Sequence, residues 1–382
     1  MKKIYALSLF IVVALFLASC NSKPTLRILN WGEYINDDVV ANFEDATGYK
    51  VIVDVTDSNE SFYSKIKSAT TAYDIVVPSD YMVEKMYDED LLYQLDYSLL
   101  PNRDNVTYMS GVSDIYTSMA ATTLSRTGET VDYTDYAVPY FWGSFGIMYN
   151  NRVAGLETAL ETYGWAAYFD PTLTASSVSR GMYDVPQFAY AAASFYLEKD
   201  INVVTNTTLA SVQNAIETAN FVQWGDDTLK RNIESANLDL AFTYTGDYLD
   251  RLYLQLDEGK TIEEVQSDFN IYIPDNTLVF IDNLVIPNTS KQVSMAHEFI
   301  NYMLDPEVVA LNSEVVGYAT GLVEAYDIIV GYADSEDTWY KNWATAYQIY
   351  YNKDAVTNLV PLTALSAEQI DKISTMIDNV RS

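Results

Sequence analysis

Short apolar runs alternate with segments whose apolar residues recur every three or four positions, and this alternation organises the first part of the chain. Leu26 to Leu29 reads as a strand, and after Asn30-Trp31-Gly32-Glu33-Tyr34 a helix is predicted from about Asn36, with Val40 and Phe43 on its stripe and Gly48 as its stop. Val51 to Val55 predicts a second strand, SNESFYSKIKSA (58–69) a helix, Tyr73 to Val77 a third strand, and Ser79 opens the next helix. Strands alternating with helices indicate an α/β layer with a mostly parallel sheet. From Tyr136 the pattern changes to YAVPYFWGSFGIMYNN, an apolar run long enough to cross between two domains. The stretch from about 151 to 270 has its own helix signal, PQFAYAAASFYLEK, and its own strand, LDLAFTYT. NTLVFIDNLVIP then returns as an extended run, followed by the helical SKQVSMAHEFINYML. Two apolar crossings that enclose an inserted unit predict two lobes with a cleft, the first made of residues 26–138 and 283–320, the second of 139–282 and 321–382.

Length agrees with that division, because 382 residues exceed a comfortable single core. Hydrophobic residues make up 49% and aromatics 14%, enough to fold. The formal net charge of −31 repels nucleic acid and anionic head groups and favours cationic ligands by long-range steering.

The amino terminus and two rare residue types narrow the chemistry. Residues 1–20, MKKIYALSLFIVVALFLASC, combine two lysines, an apolar run and small residues before a cysteine, the pattern of an export signal. Leu17-Ala18-Ser19-Cys20 resembles the lipobox of bacterial lipoproteins, which implies an acylated Cys20, a tether over residues 21–25 and a membrane contact through the lipid anchor only. Cys20 is the one cysteine, so no thiol remains for disulfides, redox work or metal binding. The one histidine, His297, falls beside the apolar stripe of its helix and is expected to be solvated or capped. Serine triads and multi-histidine metal sites are therefore not expected, nor any cofactor or catalytic residue.

What remains is carboxylates, hydroxyls and rings, and they gather at predicted strand ends. Trp31 and Tyr34 follow the first strand, and Ser79 and Tyr81 the third. Asp184 with Gln187 occurs in MYDVPQ, Tyr244 with Asp247 in FTYTGDY, and Phe280 with Asp282 in VFIDNL. Ligands of open α/β sheets sit beyond the carboxyl ends of the strands. Aromatic faces pack against methylenes and attract ammonium groups, while carboxylates take charge-assisted hydrogen bonds from them. Each piece also has a structural explanation: Ser79 as a helix N-cap, Asp184-Val185-Pro186-Gln187 as a capping box, Trp31, Tyr81 and Phe280 as core. Asp282 resists such an explanation, since a carboxylate in an apolar strand is expensive unless something cationic or hydrogen-bonding meets it.

NWGEYI, SNESFYSKI, YDIVVPSDYMVEKM, VPYFWGSFGIMYN, FIDNLVIP and NYMLDPEVV, in that order, resemble the spermidine/putrescine-binding proteins of bacterial ABC transporters. The resemblance spans most of residues 26–320 and implies a two-lobed type II periplasmic-binding-protein fold, hinged and closing over one polyamine, and working with permease subunits as a monomer outside the cytoplasm. It implies that Trp31 and Tyr34 line the polyamine channel, with Ser79 and Tyr81 at the third strand's end. Asp184 matches a carboxylate that receives an amine and Asp282 the central ammonium-binding aspartate. Tyr244 and Phe280 fall at ring positions usually held by tryptophan, or tryptophan or phenylalanine. Gln187 stands where spermidine binders carry glutamate, and Asp247 where putrescine-preferring members place an aspartate, so the pair favours putrescine. GYATG at Gly317 lacks the proline usual there, and for the polar contact expected near the carboxyl terminus Thr363 is the candidate. A same-fold carrier of another solute and a secreted carbohydrate hydrolase, which would also pair carboxylates with rings, are the rival readings.

Overall fold

In a computed structural model that describes residues 23–351 and 359–381, the alternation becomes one mixed sheet flanked by helices. Cys20, its signal segment and the start of the tether lie outside the described residues. The strands are β1 (Thr25–Asn30), β2 (Lys50–Val55), β3 (Ile75–Val76), β4 (Ala137–Asn150), β5 (Arg180–Tyr183), β6 (Gln223–Gly225), β7 (Leu240–Tyr244), β8 (Phe269–Tyr272), β9 (Thr277–Val285), β10 (Ala319–Thr320) and β11 (Leu359–Pro361). Four helices matter most for the site: α1 (Asp37–Thr47), α2 (Asn59–Ser68), α3 (Asp80–Asp88) and α4 (Ser110–Thr127).

The sheet runs β2-β1-β3-β9-β4-β7-β5-β6. Its two wings are each parallel, β2-β1-β3 on one side and β7-β5-β6 on the other. Between them β9 and β4 lie antiparallel to each other and to their neighbours β3 and β7. The two apolar crossings read from the sequence are thus β4 and β9. All 14 residues of β4 are buried, which is why that run shows no polar alternation. Its first half pairs with β9 from Ala137 to Ser144, and its second half pairs with β7 and β8 from Phe145 to Asn150. The pairing slips by one residue between Pro139 and Phe141, where proline has no amide hydrogen to give to a ladder.

Local chemistry explains the element ends. Asn36 caps α1 by accepting the Asp38 amide, and Gly48, in the left-handed region at φ 74°, stops it by donating to the Glu44 carbonyl. The stripe is rotated from the expected one: Val39 and Phe43 are buried, while Val40 is only partly covered. Side chains of β1 divide between two apolar clusters, Leu26 and Ile28 on one face and Leu29 on the other, as strand alternation requires.

His297 departs from expectation. It is fully buried, its Nε2 accepts the Asp96 amide at 2.9 Å and its Nδ1 lies 2.7 Å from the Val293 carbonyl. Accepting at Nε2 places the proton on Nδ1, so the ring is neutral and bridges two backbone groups. The turn at Tyr97–Leu99 packs across this helix and covers the flank that the stripe leaves open.

The final segment also has a defined place. β11 adds in parallel to β9, the Ala364 amide donates to the Glu84 carboxylate of α3 at 3.2 Å, and the helix Ala367–Arg381 lies against Pro186–Tyr196 and Asn206–Ala219. The chain end therefore touches both wings of the sheet.

Candidate functional site

Carboxyl ends of both wings converge on the middle of β9, where Phe280 and Asp282 stand two residues apart and so face the same side. Asp282 is 4% exposed and accepts two hydroxyls, Tyr34 Oη on Oδ2 at 2.8 Å and Ser79 Oγ on Oδ1 at 2.6 Å. Ser79 occupies the N-cap position of α3 but makes no cap hydrogen bond with its side chain, so its hydroxyl serves the carboxylate instead. Asn59 of α2 clamps it from behind, donating to Ser79 Oγ at 2.9 Å and accepting the Ser79 amide at 2.9 Å. Tyr34 is held as firmly: its carbonyl accepts Tyr140 Oη at 2.7 Å and Asn30 Nδ2 at 3.2 Å, and Tyr140 in turn accepts from Asn312. The turn that presents Tyr34 passes through Glu33 at φ 51°, a left-handed conformation uncommon for a non-glycine residue.

Burial pushes the Asp282 carboxyl up to about 7, against the two hydroxyls that hold it down. Tyr34 is raised well above the ordinary phenol range by its own burial and by the neighbouring Asp282. The site is thus a desolvated carboxyl with neutral donors around it, and among the described residues no lysine or arginine pairs with Asp282.

Rings form the rest. A narrow cavity, about 20 Å³, is bounded by Ser79, Asp80 and Tyr81 from one wing, by Phe145, Phe188 and Tyr244 from the other, and by Leu278, Val279, Phe280 and Leu362. Tyr244 meets Phe280 edge-to-face at 5.2 Å and Tyr183 at 5.2 Å. Trp31 packs edge-on against Phe62 at 4.8 Å and donates its indole N–H to the Val77 carbonyl at 2.8 Å, which fixes the ring at the entrance to α3. Tyr318 was not anticipated: its ring touches Tyr34, Phe280 and Tyr244 at 5.4, 5.9 and 6.4 Å. Gly246 makes room for it, since a Cβ there would fall 2.4 Å from the Tyr318 ring. The glycine of FTYTGDY and the tyrosine of GYATG are two halves of one contact.

The structure does not bring every candidate together. Tyr34, Ser79, Tyr81, Tyr244, Phe280 and Asp282 form one assembly, with Trp31 beside it. Of the candidates, Ser79, Tyr81, Tyr244 and Phe280 border the cavity, whereas Trp31, Tyr34, Asp282, Asp184, Gln187 and Asp247 do not. Asp184 does not form a capping box: Val185 takes the N-cap position, and Asp184 is bound by both arms of the Arg381 guanidinium at 2.6 and 3.0 Å. Gln187 is buried in the first turn of the helix Pro186–Tyr196. Asp247 is buried too, but Lys230 Nζ lies 3.3 Å from it and the Tyr244 amide donates to it at 3.3 Å. Its carboxyl is nevertheless raised to about 6 by burial, with Lys230 opposing. Thr363 gives its amide to Asn202 at 2.9 Å, and its neighbour Leu362, not Thr363, reaches the cavity wall.

Two parallel wings joined by two crossing strands, with a desolvated acidic and aromatic cleft between them, make the type II periplasmic-binding-protein fold. The chain belongs to the family described as bacterial extracellular solute-binding protein, whose model matches residues 38–348. Among curated relatives, a putrescine-binding periplasmic protein of Escherichia coli K12 is 28% identical over 313 residues, covering 78% of each chain. A spermidine/putrescine-binding periplasmic protein of the same strain is 24% identical over 331 residues, 86% of each. Of solved structures, the substrate-binding protein of a spermidine/putrescine ABC transporter from Streptococcus pneumoniae is 25% identical with a TM-score of 0.70, covering 94% of this chain and 99% of that one. One from Listeria monocytogenes, also assigned to a spermidine/putrescine ABC transporter, reaches 29% and 0.73 over 94% and 99%.

Proposed function

We propose that this protein is the extracytoplasmic substrate-binding component of an ABC importer, that it captures a polyamine such as putrescine or spermidine between its lobes, and that it hands it unaltered to a permease. The observation that carries this reading is Asp282: a buried carboxyl held by two hydroxyls, without a lysine or arginine partner among the described residues, and surrounded by rings. Burying such a group is costly until a cation arrives, and an ammonium group flanked by methylenes suits both the carboxylate and the rings. Trp31, Tyr34, Ser79, Tyr81, Tyr244, Phe280 and Asp282 are the proposed ligand contacts, joined by Tyr318.

The lobe division at β4 and β9 is part of the same proposal, with residues 26–138 and 283–320 in one lobe and 139–282 and 321–382 in the other. A cavity of about 20 Å³ admits a diamine only when the lobes part, and their closure then dries the site and strengthens each charged contact. Anchoring through Cys20 would keep the carrier beside its transporter. Single acyl chains hold only marginally, so more than one is required.

Thermal unfolding with putrescine, spermidine, spermine and agmatine tests the reading. At a hundredfold excess over its dissociation constant, the ligand stabilises the protein by about 2.7 kcal/mol and the melting temperature rises. A flat response to all four sinks it.

A further inference from the structure

Of the four aspartates Asp80, Asp184, Asp247 and Asp282, three already have side-chain partners. Asp184 holds Arg381, Asp247 holds Lys230, and Asp282 accepts two hydroxyls. Asp80 is the exception. It opens α3 between Ser79 and Tyr81, is 1% exposed, and forms part of the cavity wall. Its Oδ1 accepts the Tyr81 amide at 3.0 Å, while its Oδ2 is fully buried and has no hydrogen-bond partner among the described residues.

An acidic residue in the first turn of a helix is ordinarily explained by the helix dipole. That explanation covers a solvated carboxylate, not one enclosed with a bare oxygen. Leaving a buried acceptor unsatisfied is costly, so such groups are rare and call for a reason. Packing supplies none, because the charged neighbours of Asp80 are themselves acidic. Asp282 faces it from β9 and Glu84 from the next turn of α3, while Tyr116 approaches from α4. Glu84 is satisfied separately by Arg126 at 2.9 Å. Burial first, then Asp282, holds the Asp80 carboxyl well above its usual range.

We propose that Asp80 is a ligand-contacting carboxylate, the second anionic partner of a diamine whose first partner is Asp282. The sequence assigned that second role to Asp247 or Asp184; Asp184 holds Arg381, and Asp247 shares Lys230 with Asp227 and Asp250. An ammonium group at Asp80 would satisfy the bare oxygen and draw the carboxyl into its charged form. The inference rests on the amine reading of the cleft given above.

Calorimetric titration of the full chain and its Asp80→Asn variant with putrescine and with n-butylamine tests it. Putrescine has two ammonium groups and n-butylamine one, at equal carbon count. Putrescine affinity is expected to fall at least about thirtyfold in the variant, and n-butylamine affinity by less than about threefold. The melting temperature of the ligand-free variant is expected to hold or rise, since an unpaired buried acid has been removed. Asp80→Ala, read the same way, covers the case in which the asparagine variant does not fold. Unchanged putrescine affinity, or equal losses for both amines, overturns the role of Asp80 while leaving the amine site standing. A parent chain that binds neither amine overturns the amine reading and the Asp80 proposal together.

Discussion

The two sides of the cleft carry acid in different ways. On the β2-β1-β3 wing and along β9, Asp80 and Asp282 are buried with hydroxyl, amide or no partners. On the β7-β5-β6 wing, Asp184 and Asp247 are matched by Arg381 and Lys230. Asp247 also accepts the Tyr244 amide at the start of the helix Thr245–Asp257, where a carboxylate complements the dipole. One side therefore buries carboxyls that no lysine or arginine meets among the described residues, and the other pairs its carboxyls with cations, Lys230 being shared with Asp227 and Asp250. Carboxylates at strand ends are therefore not equivalent, because those the fold leaves without a base offer a cationic ligand more than those that must first give up a partner. Asp247, on which the preference for putrescine was built, reaches a ligand only by exchanging its share of Lys230.

Removing a carboxylate that has no base should have the largest effect. Asp282→Ala is expected to weaken amine binding by about 3–5 kcal/mol, about two to nearly four orders of magnitude in the dissociation constant, because a closed site would hold an unpaired ammonium group. The ligand-free protein should keep its melting temperature to within a few degrees, as removing a buried acid offsets the lost acceptor of Tyr34 and Ser79. Titration of Asp282→Ala beside Asp184→Ala measures the contrast directly, and comparable losses from the two would erase it.

Acidification should act on the same side by smaller steps. The Asp282 carboxyl sits at about 7 in the folded protein, against about 4 for an ordinary aspartate. A raised carboxyl binds its proton more tightly folded than unfolded, so its contribution to ligand-free stability is full below about pH 4 and is lost as pH rises through 7. Ligand binding has the opposite sign, since an ammonium group needs the carboxylate. Putrescine affinity should therefore fall as pH drops below about 7, by up to about tenfold per unit for each proton displaced. Isothermal titration at pH 8, 7 and 6 reads the slope, and a flat profile would mean that the carboxylate is ionised throughout and the two sides of the cleft do not differ in this respect.

The difference between the sides also explains what was legible beforehand. Every ring and hydroxyl of the assembled site stands at or beside the end of an apolar run, and a local pattern reports such an end. Asp282 was the plainest signal, a charge inside an otherwise apolar strand. The partners were not legible, because Arg381 lies 197 positions from Asp184 and Lys230 lies 17 from Asp247, and no local pattern links them. Asp80 was hidden by its position, since an aspartate just after a helix-opening serine reads as an ordinary first-turn acid. Tyr318 was hidden by glycines: GYATG reads as a turn, and its need for Gly246 becomes visible only when the two segments meet. The fold itself was more legible than the site, because β4 and β9 are long and wholly or nearly wholly buried, whereas the rotation of α1 by one position shows how weakly a single stripe fixes its own face.

Arg381→Ala probes the paired side and should have the smallest effect. The pair is about one-third exposed on both partners, and exposed ion pairs contribute about 0–1 kcal/mol. Its guanidinium also lies 5.2 Å from the centre of the Trp224 ring, adding a contact of similar size. Melting temperature should thus drop by only a few degrees, and putrescine affinity should stay within about twofold, because Asp184 does not border the cavity. A gain in affinity of tenfold or more would have a definite meaning: Arg381 would be a built-in cation competing with the ligand for Asp184, and the paired side would be paired only until the chain end moved away.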